Sequence, residues 1–101
     1  MPRQYERVTY FTETLLECAS GRHPARMSDL SLGGCYIDSI AEVRAGEVIK
    51  FWLSGRDGSD LTITARVAYV HPGIGFGVTF LDLSENSRQF VQDAIERARG
   101  S

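Results

Sequence analysis

Between Leu61 and Tyr69 the chain alternates without a break. Leu61, Ile63, Ala65, Val67 and Tyr69 share one face of an extended strand, and Thr62, Thr64 and Arg66 take the other. A period of two commits this stretch to a sheet with one face on a core, and five more runs of strand character surround it. Residues 8 to 18 are dense in β-branched and aromatic types. A second extended stretch covers 23 to 29, and Cys35–Asp38 makes a short third strand. Val48–Leu53 carries apolar residues on both parities, as in strands covered on both faces. After Pro72-Gly73, Ile74, Phe76, Val78 and Phe80 alternate with Gly75, Gly77 and Thr79, and glycines so placed imply tight curvature or close backbone approach. Ser20-Gly21, Gly33-Gly34, Ala45-Gly46 and Gly55-Arg-Asp-Gly58 punctuate the runs, the last as a hairpin turn. Six short strands leave too many open edges for one flat sheet, so closure into a small antiparallel barrel is the economical arrangement.

From Ser84 the period lengthens. Phe90, Val91, Ala94, Ile95 and Ala98 fall on one helical stripe, with Ser84 as N-cap, Glu85 at the positive end of the helix dipole and Arg97 and Arg99 at the negative end. The fold class expected is mainly β, a six-stranded antiparallel β-barrel with a C-terminal α-helix. The 101 residues are read as one domain: a flexible N-terminal arm over 1–7, the barrel over 8–82 and the helix over 84–99.

Composition narrows the function classes. A chain that is 43% apolar and 24% charged, with no long apolar run, predicts neither disorder nor membrane insertion, and the first residues lack a secretory pattern, so the expected compartment is the cytoplasm. A net charge of −2 argues against binding RNA or DNA through many phosphates. Ten of the eleven basic residues are arginine, Lys50 being the exception, which suits planar, bidentate recognition. Cys18 and Cys35 fall in expected strands, where a free thiol behaves as a small buried hydrophobe; whether they pair is left open. His23 and His71 are isolated, without metal-ligand spacing. Ser31 has no histidine partner in a recognisable motif, the cysteines lack a flanking activation pattern, and no Gly-Lys-Ser/Thr loop occurs, so an enzyme is not expected. Glu13 and Glu17 read as the solvated face of the first strand.

Two strings remain. Arg3 and Arg7 form an Arg-x-x-x-Arg pair in the arm, and Asp29, Ser31, Gly33 and Gly34 form Asp-x-Ser-x-Gly-Gly. Two guanidinium forks, a carboxylate, a hydroxyl and a flexible glycine pair suit a guanine nucleotide held by its phosphates and base edges. A second Arg-x-x-x-Arg, Arg22 and Arg26, competes with the first. If residues 22 to 31 alternate strictly, Asp29 and Ser31 face one side and Arg22 and Arg26 the other, so the arm arginines are the expected partners of Asp29; a bulge near Ser28 would invert this facing. Asp-x-Ser before two glycines is also a common turn in which the side chains bond the local backbone.

These residues, in this order, with the Gly75–Phe80 strand and the terminal helix, resemble the PilZ domain family of cyclic di-GMP receptors over nearly the whole chain. Arg3 and Arg7 match the family's Arg-x-x-x-Arg, and Asp29, Ser31 and Gly34 its Asp/Asn-x-Ser/Ala-x-x-Gly. The resemblance implies a six-stranded barrel with a C-terminal helix and a nucleotide held between arm and barrel. Arg3 and Arg7 would grip phosphate and the guanine O6/N7 edge, Asp29 would accept from guanine N1 and N2, and Ser31 would bond a phosphate or base. Gly34 and Gly33 would allow backbone approach that a β-carbon forbids. Where many binders carry a further arginine before the first motif arginine, this chain has Pro2. The function expected is a cyclic di-GMP receptor or adaptor acting on an unidentified downstream protein; the alternative is a barrel of the same type without nucleotide affinity that contacts proteins alone.

Overall fold

The structure, a computed structural model, describes residues 7–54 and 60–100. Six antiparallel strands, β1 (Val8–Cys18), β2 (Gly21–Leu30), β3 (Gly34–Asp38), β4 (Val48–Ser54), β5 (Asp60–His71) and β6 (Gly75–Leu81), close into a barrel in the order β1-β2-β3-β6-β5-β4, followed by α1 (Glu85–Gly100). The expected fold class is the observed one. The Gly55–Gly58 turn lies outside the described residues.

Closure is made at the β1–β4 seam, where Leu15, Leu16 and Glu17 face Trp52, Phe51 and Lys50, and the Thr14 hydroxyl donates to the Trp52 carbonyl. Leu16 and Phe51 are fully buried there. Each such side chain contributes ~1.5–3 kcal/mol, against a net ~1 kcal/mol for a ladder hydrogen bond, so packing holds the seam more than pairing does. The same apolar cluster takes in Met27, Leu30, Ile37, Ile63, Val67, Phe76 and, from the helix, Val91, Ala94 and Ile95. Phe90 meets Tyr10 of β1 edge-on at 6.4 Å. The Ser84 hydroxyl accepts from the Ser87 N–H at 3.1 Å and donates to the Ser87 hydroxyl at 3.0 Å, which makes Ser84 the expected N-cap.

Three irregularities interrupt the ladders among the described residues, between Thr9 and Thr12, between Met27 and Asp29, and between Val67 and Tyr69. An extra residue bends its strand and reverses the facing of the residues beyond it. Around Ser28 the order becomes Met27 in, Asp29 out, Leu30 in; around Ala68 it becomes Val67 in, Tyr69 out.

Three sequence expectations are corrected by the strand facings. Tyr69 leaves the core face and is 43% exposed. Ile74 precedes β6, in the turn, and is exposed. β4 buries Ile49, Phe51 and Leu53 but exposes Val48 and Lys50, so only one of its faces is covered. Both faces are covered instead along Gly75–Val78 of β6. A β-carbon on Gly75 would overlap the Ile37 carbonyl and press on the Tyr36 ring, and one on Gly77 would overlap the Tyr69 ring, because both tyrosines lie across β6 on the outer wall. At Gly34 the obstacle is the carbonyl of Val78.

Gly77→Ala is expected to destabilise by about 1–3 kcal/mol in denaturant titration, and to recover in a Tyr69→Ala background. Gly34→Ala is expected to cost more than Gly77→Ala, since its obstacle is backbone, with no side chain to move aside. Ser84→Ala is expected to cost about 1 kcal/mol on the same scale.

Candidate functional site

Arg7 immediately precedes β1, and its Nη1 donates to Asp29 Oδ1 at 2.7 Å. The same oxygen accepts the Tyr36 N–H at 2.9 Å, which fixes the carboxylate against β3. Oδ2 has no partner among the described residues. Each side chain of the pair is 34% exposed, so the ion pair reaches solvent. The expected meeting of the arm with Asp29 is present for Arg7; Arg3 lies outside the described residues.

Ser31 behaves differently. It is 5% exposed. Its hydroxyl accepts from the Gly33 N–H at 3.2 Å and the Gly34 N–H at 3.1 Å and contacts the Gly34 carbonyl at 3.2 Å, while its own N–H donates to that carbonyl at 2.8 Å. The Phe80 N–H donates to the Gly33 carbonyl at 2.9 Å, tying the loop to β6. The local-turn reading of the Asp-x-Ser string therefore describes Ser31, whereas Asp29 serves the turn through one oxygen and keeps the other open. Gly34 is closely approached by β6 of its own barrel, where a β-carbon would meet the Val78 carbonyl.

The bulge at Ser28 overturns the facing expected for the second arginine pair. Asp29 points outward on the same wall as Arg22 and Arg26. Other bonds separate them from it. Arg26 donates to Asp38 Oδ2 from Nε and Nη2, at 3.1 and 2.9 Å, and lies 5.0 Å from the centre of the Phe11 ring. Arg22 pairs with Glu17 at 3.2 Å and lies 5.4 Å from the Trp52 ring.

A cleft of about 670 Å³ opens beside this arrangement, lined by Arg7, the Ser31–Gly34 loop, Thr79 and, from the approach to the helix and its first turn, Asp82 and Arg88. Its size is within the usual range for small-ligand sites. A second cleft of about 870 Å³, between the 39–47 loop and the β5–β6 turn, holds none of the motif residues. Across β3, β6 and β5 the register Asp29–Tyr36–Gly77–Tyr69 continues the site as an aromatic patch. The centres of Tyr36 and Tyr69 are 6.2 Å apart, His71 is 5.8 Å from Tyr36 and 5.3 Å from Tyr69, and Tyr36 Oη meets His71 Nδ1 at 2.9 Å. Desolvation first, then Tyr69, Asp38 and Asp29, raise the Tyr36 phenol above its ordinary value, so it stays protonated at neutral pH. Sequence reasoning missed this patch; the signal available was the paired glycines of β6, which leave room for rings lying flat across them.

Both cysteines are free thiols. Burial, aided by the charge of Asp29 and opposed by Arg7, pushes the Cys35 thiol well above its ordinary range, which leaves it protonated and unreactive. No group of three or more histidine, cysteine, aspartate or glutamate side chains among the described residues is placed to hold a metal. Nor is any described helix long and apolar enough to cross a membrane.

The model of the PilZ domain matches the chain over residues 2–97. No curated protein matches it. Among solved structures, the chain is similar to the Bacillus subtilis inhibitor of motility (MotI/DgrA), with TM-score 0.81 and 13% identity, covering 100% of this chain and 53% of that one. It is similar to YcgR from Escherichia coli in complex with c-di-GMP, with TM-score 0.77, 19% identity and coverage of 99% and 47%. It also resembles the PilZ domain of that protein with c-di-GMP, with TM-score 0.76, 20% identity and coverage of 99% and 93%. The chain thus spans about half the length of the first two, and at these identities the likeness is one of fold. With the family match running from before the first motif arginine into the terminal helix, the chain belongs to the PilZ domain family.

Proposed function

We propose that this chain is a receptor domain for cyclic di-GMP. The observation that carries the reading is the 2.7 Å contact between Arg7 and Asp29, which brings the second motif arginine onto the outer wall beside the loop of the other motif. Family membership and similarity to domains solved with c-di-GMP support it.

Arg7 bonds Asp29 through one nitrogen, so its remaining N–H groups can meet phosphate or the guanine O6/N7 edge. Asp29 Oδ2 accepts from the guanine N1/N2 edge. Tyr36 and Tyr69 offer ring faces on which a purine stacks, an interaction worth ~1–3 kcal/mol per base. Arg3 closes over the ligand from the arm. Ser31 holds the loop in shape, Gly33 lets the ligand approach main chain, and Gly34, whose β-carbon side is filled by the Val78 carbonyl, keeps that loop against β6. The residues proposed for the site are Arg3, Arg7, Asp29, Ser31, Gly33 and Gly34, within a single domain. The nucleotide is bound and not turned over: the one hydroxyl of the motif is committed to its own turn. Ligand binding changes the surface offered to a downstream protein in the cytoplasm.

A second reading, a protein-contact module without nucleotide affinity, is favoured by Arg7 already having a carboxylate partner and by Pro2. Magnitudes favour the first: a partly exposed ion pair is worth ~0–1 kcal/mol, while a bidentate arginine contact returns ~1–3 kcal/mol.

In a thermal-shift assay, cyclic di-GMP at about a hundredfold excess over Kd adds ~2.7 kcal/mol and is expected to raise Tm by roughly 10–20 °C; an unmoved Tm selects the second reading. In titration calorimetry Arg7→Ala and Asp29→Ala are each expected to weaken binding by about tenfold or more. Arg26→Ala, whose guanidinium is held by Asp38 and Phe11, is expected to stay within about threefold of the parent; a loss equal to that of Arg7→Ala would reassign the site to the second arginine pair.

A further inference from the structure

The nucleotide cleft has a wall that neither motif supplies. Arg88 stands in the first turn of α1 and lines the cleft from the helix, with Asp82 and Leu83 just before it. Its backbone is fixed, because its N–H donates to the Ser84 carbonyl at 2.8 Å and Ser84 caps the turn through Ser87. Its side chain bonds no described residue. Arg7, Arg22 and Arg26 each hold a carboxylate, whereas among the described residues no carboxylate lies within 4.0 Å of the Arg88 guanidinium. Asp82 is the one carboxylate on the described lining of the cleft, and it sits at a φ of 47°, where the chain turns from β6 toward the helix.

We propose that Arg88 is a third guanidinium of the nucleotide site, one that binds a phosphate of the cyclic dinucleotide from the helix side. This rests on the receptor reading and extends it. A cyclic dinucleotide carries two phosphates on opposite sides of its ring, and Arg7, part of whose charge is answered by Asp29, neutralises one of them at most. Beside Arg7 on the barrel side and the Arg3 proposed with it, Arg88 offers from the helix side a fork that no described carboxylate answers, and it matches the other phosphate with charge and with parallel N–H donors. The ligand then spans barrel and helix, and the helix becomes part of what the ligand organises.

The test is titration calorimetry with cyclic di-GMP on the whole chain, comparing the parent with Arg88→Ala, Arg88→Lys and, as a control in the other cleft, Arg44→Ala. Arg88→Ala is expected to lose about tenfold or more in affinity, Arg88→Lys to recover part of that loss, and Arg44→Ala to bind as the parent does. The Tm of each variant without ligand is expected to match the parent, since the Arg88 side chain is exposed and bonds no other described residue. In labelled protein the Arg88 Nε–H resonance is expected to shift when cyclic di-GMP is added. Parent-like affinity in Arg88→Ala, or an unmoved Arg88 resonance in a saturated sample, overturns the assignment while leaving the receptor reading intact. A parent chain that does not bind cyclic di-GMP overturns both.

Discussion

One extra residue in a strand decides which face of this barrel carries Asp29. A barrel strand sends alternate side chains inward, and without a bulge Asp29 would share the facing of Met27, against the core, where an unpaired carboxylate is too costly to keep. The irregularity at Ser28 turns Asp29 out and returns Leu30 to the interior. The one at Ala68 does the same for Tyr69. The bends that help close six short strands into a barrel thus also place the carboxylate and one of the rings on a single outer wall.

Around that wall the residues divide into those that hold and those that remain open. Ser31 spends its hydroxyl on the Gly33 and Gly34 N–H groups, Gly34 lies against the Val78 carbonyl, and Phe80 pins the loop from β6. A loop so bonded is fixed in shape by its own hydrogen bonds, and a fixed loop has little conformational entropy left to lose. Among the described residues, Asp29 Oδ2 and the remaining nitrogens of Arg7 have no partner, and the Tyr69 ring is partly exposed beside Tyr36. The Arg7–Asp29 pair is partly exposed, and a pair so placed adds little to stability.

Legibility of the fold and of the site differed for a physical reason. Period-two patterns at 61–67 and 76–80, turns at Ser20-Gly21 and Ala45-Gly46, and the helical stripe from Phe90 to Ala98 lead directly to strands, turns and helix, because burial rewards each pattern locally. The facing of Tyr69, the exposure of Ile74 and Val48, and the side on which Arg22 and Arg26 lie were not legible in this way. A bulge adds one residue without changing composition, and every facing beyond it reverses. The tyrosine–histidine patch was hidden for a related reason: Tyr36, Tyr69 and His71 come from strands distant in sequence or from beyond a bulge, and only strand register brings them together.

The sequence by itself determined that this chain forms a closed, mainly β barrel with a terminal helix, and that an arginine arm and an Asp-x-Ser-x-Gly-Gly loop are its chemically distinctive parts. Apolar spacing and turn chemistry act over a few residues and survive without knowledge of neighbours. Tertiary structure alone decided that Asp29 faces out with its Oδ1 bonded to Arg7 and Tyr36, that Ser31 is committed to its own turn, that Arg26 belongs to Asp38, and that Arg88 reaches the cleft from the helix. Each of these depends on which residue lies opposite another across a strand pair or a cleft, and that is set by bulges and by closure of the whole barrel.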